Sequence, residues 1–202
     1  MTLVASIVGY GLVTDTQASS KFFGTVDDEK VYLDPDGYFG VAAAGSTHVG
    51  TNFFSILIIP LIRQWLHEYY SRGRIVSSIP FPVIDGEEVK SFITNSLDDV
   101  QLTVITNQEI IMVHKKANEY IEFKPIDNDY KHNYCVGMAS LGPVFVACYN
   151  HHSVRELDTR HRIDSAWELL LTQRYHIKGN RLNHYPHDMF KPILVAAKGD
   201  AL

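Results

Sequence analysis

Cysteine is nearly absent from this 202-residue chain, whose only two, Cys135 and Cys148, sit inside apolar strings. Two thiols do not make a disulfide framework, so both read as buried free cysteines. Long apolar runs are missing too. The longest, Phe53 to Leu61, is too short to span a bilayer, and the first residues show neither a basic region nor a small-residue cleavage pattern. No membrane partner is expected, and a cytoplasmic setting is the default. Positive charge is in deficit, 18 Lys and Arg against 23 Asp and Glu, for a net of −5. That balance gives no electrostatic reason to expect nucleic acid or an anionic membrane as partner. No repeat, low-complexity run or linker breaks the chain, and its length suits one core, so residues 1–202 are expected to form a single domain.

What is present is a series of β-prone runs broken by turns. Residues 2–8 and 11–15 flank Gly9-Tyr10-Gly11, which is a hairpin signal. Val31 to Leu33 and Tyr38 to Ala43 form a second pair around Asp34-Pro35-Asp36-Gly37, whose Pro and Gly suit successive turn positions. Ser46 or Thr47 caps an expected helix to about Tyr70, with Pro60 inside it to kink or split it. A shorter helix follows over Glu87 to Leu97. Alternating strands are expected over Gln101 to Thr106, Glu109 to His114 and Glu119 to Phe123, with another over Tyr134 to Ala139. Gly142-Pro143 opens a helix across Phe145 to His152, and Ser165 with Glu168 forms a capping-box pattern for the last helix. Lys191 to Ala197 reads as the final strand. The expected core includes Leu3, Ala5, Val13, Val41, Ala43, Leu57, Val136 and Leu169. Periodicity alone supports an α+β class.

Ten histidines invite a metal reading, with His184, His187 and Asp188, and the pair His151-His152, as the clusters. Their spacing matches no structural zinc template and no cysteine lies near, so neither a metal nor a cofactor is expected. Asn183 to Asp188 reads as a polar loop. Lys30, following Asp27, Asp28 and Glu29, reads most plainly as part of a solvated charge cluster. Asp15 reads most plainly as a turn starter, and Ser140 as a small strand-end residue.

A second reading comes from the order of these segments. Thr2-Leu3-Val4-Ala5-Ser6-Ile7, the glycine turn, Leu12 to Ser19 with Asp15, and Lys30-Val31-Tyr32-Leu33 together resemble the opening of a proteasome β-type subunit, a family of N-terminal-nucleophile hydrolases that includes HslV. Gly40-Val41-Ala42-Ala43-Ala44-Gly45-Ser46 is similar to that family's small-residue strand end. Gly137-Met138-Ala139-Ser140-Leu141-Gly142-Pro143 is similar to its Gly-Ser-Gly-Gly-Pro segment, with Leu141 replacing a glycine. The resemblance covers nearly the whole chain in element order and implies a four-layer αββα sandwich. It also implies self-assembly or incorporation into a larger complex. Its site residues would be a nucleophilic Thr with Asp15, Lys30 and Ser140, and an oxyanion donor near Gly45.

The nucleophile decides the chemistry, because the free α-amine of a terminal Thr must serve as base for its own hydroxyl. If Met1 is excised, Thr2 becomes that residue. If the family's Thr-Thr-Leu-Val-Ala lies over Met1-Thr2-Leu3-Val4-Ala5, Met1 occupies the nucleophile position. Fourteen steps separate Met1 from Asp15. The family has about 16, so the hairpin is shortened by an even number and every side chain keeps its face. The 13 steps from Thr2 would turn one strand over. The expectation is therefore a structural, non-catalytic subunit with Met1 at the nucleophile position, and the alternative is an active threonine peptidase using Thr2. A hydrolase of small amides is a third class. Relatives of the fold occur in phage-like gene sets, which extends the expected setting to a virion.

Overall fold

The computed structural model describes residues 4–20, 24–27, 29–45, 58–74, 78–80, 100–116, 120–125, 151–172 and 182–194. In chain order the strands are β1 (Val4–Ile7), β2 (Gly11–Asp15), β3 (Gln17–Ser20), β4 (Gly24–Asp27), β5 (Val31–Leu33), β6 (Phe39–Gly45), β7 (Ser78–Pro80), β8 (Val100–Thr106), β9 (Ile110–Lys116), β10 (Tyr120–Pro125) and β11 (Leu182–Tyr185). Helix α1 (Ile59–Ser71) follows β6 and α2 (Thr159–Thr172) precedes β11. Every described strand pair is antiparallel. The protein is thus a mixed α/β chain with antiparallel sheets. It divides into two compact units, Met1–Lys30 with Asp127–Pro186, and Val31–Ile126 with His187–Leu202.

In the first unit the sheet order is β1-β2-β11, with β3 and β4 as a separate hairpin. The turn between β1 and β2 needs glycine twice, since Gly9 has φ +92° and Gly11 φ +127°. Tyr10 N–H donates to the Ile7 carbonyl at 3.0 Å and closes the turn. The α2 face Ile163, Ala166, Trp167 and Leu170 is buried at helical spacing. Trp167 meets Tyr10 at 5.9 Å and His184 at 5.8 Å between ring centroids, and the Tyr10 hydroxyl donates to Asp164.

Helix α2 starts earlier than its sequence suggested. Ser165 and Glu168 lie inside it, and the cap is Asp158, whose Oδ1 accepts from the backbone N–H of Arg160 (3.1 Å) and His161 (3.2 Å). The same carboxylate pairs with the His161 ring, and these contacts hold its pKa below the usual range. The sign follows: a depressed carboxyl pKa adds stability that is present above the unfolded value and lost as pH falls through the folded one. Asp158→Ala is expected to fray the first turn, read as faster amide exchange at Arg160 and His161 with Leu170 unchanged. Equal exchange in wild type and variant would remove Asp158 from this role.

The second unit holds a six-stranded sheet in the order β5-β6-β8-β9-β10-β7. Register aligns Val41, Val104 and Ile111 in one row and Ala43, Leu102 and Val113 in the next. Against these rows α1 buries Ile59, Ile62, Trp65, Leu66 and Tyr69. Ala43 is half-buried rather than fully inside, as is Leu169 of α2, while Ala5, Val13 and Val41 are buried as expected. Leu3, Leu57 and Val136 lie outside the described residues. Pro60 occupies the first turn of α1, where its missing N–H costs no helical bond. Residues 191–194, within the expected final strand Lys191 to Ala197, are irregular and follow a 3-10 turn at His187–Met189; β11, which pairs with β2, ends six residues before Lys191. His151 and His152, expected at a helix end, lie outside any helix.

A buried carboxylate ties the β5–β6 hairpin to α1. The Asp34 side chain is fully buried and accepts from Tyr38 N–H at 3.1 Å, from Arg63 Nε at 3.1 Å and from Arg63 Nη2. Arg63 also reaches Asp36 at 2.8 Å, and Asp34 above all raises the guanidinium pKa. Because Arg63 is 46% exposed it is not stranded when its partner goes. Asp34→Ala is therefore expected to cost about 2 kcal/mol, from the lost turn bond and the lost charge-assisted bonds. A urea midpoint equal to that of wild type would contradict this.

Candidate functional site

Among the described residues strand β2 lies between β1 and β11, and its last residue, Asp15, stands opposite Leu182 in register. Lys30 Nζ lies 2.5 Å from Asp15 Oδ1, and the two side chains are only 7% and 12% exposed. Lysine is almost never this buried without a partner. The acidic neighbours Asp27 and Glu29 suggested a solvated cluster, but the ammonium is taken out of water and paired. A buried ion pair is weak evidence for stability, since desolvating both ions consumes much of their attraction. A buried pair of this kind fits a site where charge is used. An ammonium held in this way can stabilise negative charge on a nearby oxygen, with the carboxylate fixing its position.

Register shows what shares the pair's side of the sheet. Ala5 pairs with Val13 and Ile7 with Gly11, whereas Val4 pairs with Thr14 and Ser6 with Leu12. Side chains alternate along a strand, so Asp15 shares its face with the odd positions of β1, and the even positions share theirs with Thr14. The even face carries two hydroxyls that the sequence reading overlooked. Ser6 Oγ and Thr14 Oγ1 are buried, and neither has a hydrogen-bond partner among the described residues. Replacing a buried group that makes no bond with an apolar one of the same shape is neutral or stabilising. Thr14→Val is thus expected to leave the thermal midpoint unchanged or raise it by about 1 kcal/mol equivalent; a clear loss would reveal a partner.

Tyr185, at the end of β11, is also buried; burial first and the Glu29 charge second raise its phenol pKa. Its only sequence signal was its place in the alternation of a segment read as loop. Of the residues expected at the site, the described chain brings Asp15 and Lys30 together. Gly45 ends β6 opposite Val100, in the other unit. Met1, Thr2 and Ser140 lie outside the described residues.

The histidine clusters are engaged elsewhere. His187 Nδ1 contacts the Thr106 carbonyl at 2.7 Å, His151 Nδ1 meets Ser153 Oγ at 2.7 Å, and His184 Nε2 is 3.4 Å from the Tyr10 carbonyl. Among the described residues no group of three or more His, Cys, Asp or Glu could hold a metal ion, and no helix is long and apolar enough to cross a membrane.

No family model and no curated protein matches the chain. Among solved structures it is similar to the eukaryotic HslV from Trypanosoma brucei, at 12% identity and a TM-score of 0.43, over 91% of this chain and 98% of that one. It is also similar to Anbu, an ancestral beta-subunit from Yersinia bercovieri, at 11% identity and a TM-score of 0.42, over 94% of this chain and 83% of that one. At these values neither likeness decides the chemistry of the site.

Proposed function

We propose that residues 1–202 form one proteasome-like domain of four-layer αββα design, a non-catalytic subunit of a self-assembling complex. The observation that carries this reading is the pairing of β1 with β2: Asp15 and its Lys30 partner face the odd positions of β1. Thr2 is an even position, of the parity that faces away from the pair, and Met1 is odd. The residue of the pair's parity is then Met1, which has no hydroxyl, and with Met1 retained the threonine beside it is separated from the α-amine by a peptide bond. A threonine whose nitrogen is amidated has no base of its own.

One observation favours a second reading, an active threonine peptidase with Thr2 as nucleophile after loss of Met1. The Asp15–Lys30 pair is intact and buried, and a purely structural subunit has no chemical use for it. In that enzyme the Thr2 hydroxyl would attack, its α-amine would take the proton, Lys30 would tune the field with Asp15 orienting it, Ser140 would be the serine beside the nucleophile, and amides near Gly45 would hold the oxyanion.

A peptidase assay on wild type and Thr2→Ala, with mass spectrometry of the N-terminus, separates the two. No turnover with Met1 retained supports the non-catalytic subunit. Turnover lost in Thr2→Ala, from a chain beginning at Thr2, establishes the peptidase.

A further inference from the structure

Four of the five large hydrophobic side chains exposed among the described residues belong to one unit and to two neighbouring segments: Leu33 (48%) and Tyr38 (39%) on the β5–β6 hairpin, Met189 (46%) and Leu194 (88%) on the stretch after the 3-10 turn. The segments are joined. Lys191 N–H donates to the Gly37 carbonyl at 2.8 Å, and its Nζ stands 5.7 Å from the centre of the Tyr38 ring. A Cβ built on Gly40 would lie 3.2 Å from Phe190 Cζ and 3.4 Å from Leu33 Cδ2, so the absence of a side chain there lets the two segments meet. Single exposed apolar residues need no explanation, but four of them on two joined segments fit a contact surface.

The same surface carries a sheet edge: among the described residues strand β5 is the outermost of its sheet. Asp34 N–H donates to the Phe39 carbonyl, which makes that facing pair the hydrogen-bonded type. Antiparallel pairs alternate, so Tyr32 bonds inward to Val41, while Val31 and Leu33 aim their backbone groups outward. An edge of this kind accepts another strand.

Charge identifies the occupant. The rim holds the cations Lys191 and Arg63, the latter paired with Asp36, and the exposed carboxylates Asp36 and Asp188, so with both signs present it is complementary to a copy of itself turned about a two-fold axis and poorly matched to a strongly charged partner. We infer that β5 and the Leu33, Tyr38, Met189 and Leu194 surface form a self-association interface in which a second copy of this chain pairs its β5 antiparallel to the first. This inference deepens the self-assembly part of the function proposed above and rests on it. It is independent of the chemistry at Asp15 and Lys30.

Sedimentation velocity over a concentration series tests it with Leu194→Asp and Met189→Asp, substitutions at exposed positions, and with Leu157→Asp as the control in the other unit. Circular dichroism checks that each variant is folded. Wild type and Leu157→Asp are expected to associate, with Leu194→Asp and Met189→Asp weakened by roughly tenfold or more in dissociation constant. Amide exchange at Val31 and Leu33 should slow as wild-type concentration rises. A wild type that stays monomeric overturns both self-assembly and this interface. An associating wild type whose Asp variants associate equally well, with Val31 and Leu33 exchange independent of concentration, overturns this interface and leaves self-assembly standing. If a variant fails to fold, the exchange arm on wild type alone decides the matter in the same way.

Discussion

Gly11→Ala is expected to lower the stability of the protein by about 3–5 kcal/mol, a large part of what a domain of this size has. Two effects combine. Gly11 sits at φ +127°, a conformation that L-residues avoid at a cost of about 1–3 kcal/mol. A Cβ there would also lie 2.5 Å from the Tyr185 carbonyl oxygen and 2.8 Å from the Pro186 Cα, both backbone atoms that cannot swing aside. The β2–β11 pairing must shift to admit it, and Asp15 is at the far end of that same pairing. Gly9→Ala is the internal comparison. Gly9 has φ +92°, but nothing lies within 4 Å of its added carbon, so only the backbone strain applies, about 1 kcal/mol or slightly more. Urea unfolding of the two variants measures the difference. Equal losses would mean that β11 does not approach Gly11 as described.

Lys30→Met carries the second large effect. It leaves the Asp15 carboxylate buried without its ammonium, and breaking a buried pair from one side costs about 3–5 kcal/mol. Asp15→Leu alone takes the carboxylate away from the buried Lys30 charge and is expected to cost stability too. The double variant removes both charges and is expected to recover most of the loss, because an apolar pair avoids the desolvation that the ion pair bears. A double-mutant cycle by chemical denaturation reads this as a coupling of several kcal/mol. If the single variants are as stable as wild type, Lys30 reaches solvent and the site as drawn does not exist. Recovery of stability in the double variant would mean that the charges are kept for something other than folding.

The residues that made these elements legible are those whose chemistry acts locally. Gly9 and Gly11 announce a hairpin because few other residues tolerate its dihedral angles, and Asp34-Pro35-Asp36-Gly37 announces a turn that its own carboxylate then closes on Tyr38 N–H. Strands β8 to β10 follow from alternation, which is a property of neighbouring residues. What stayed hidden depends on partners distant in sequence. Lys30 looks solvated among its acidic neighbours, and its pairing with Asp15, fifteen residues away, helps make its burial tolerable. Leu182-Asn183-His184-Tyr185 looks like loop because it is polar, and it is a strand because β2 offers it an edge. At α2 two capping signals competed. Ser165 and Glu168 fit the pattern, but Asp158 lies where the backbone first becomes helical and takes the free N–H groups. The β3–β4 hairpin, Gln17–Ser20 with Gly24–Asp27, has no apolar alternation to betray it.

The most direct test of the central claim is capture of the chain by a peptide epoxyketone, an electrophile that needs a hydroxyl and a free α-amine on the same residue. The proposed non-catalytic subunit, with Met1 retained ahead of Thr2, predicts that intact mass spectrometry shows the unmodified chain after prolonged incubation, in wild type and Thr2→Ala alike. A single adduct on wild type, mapped to Thr2 and absent from Thr2→Ala and from Lys30→Met, would contradict it and make this protein a threonine hydrolase.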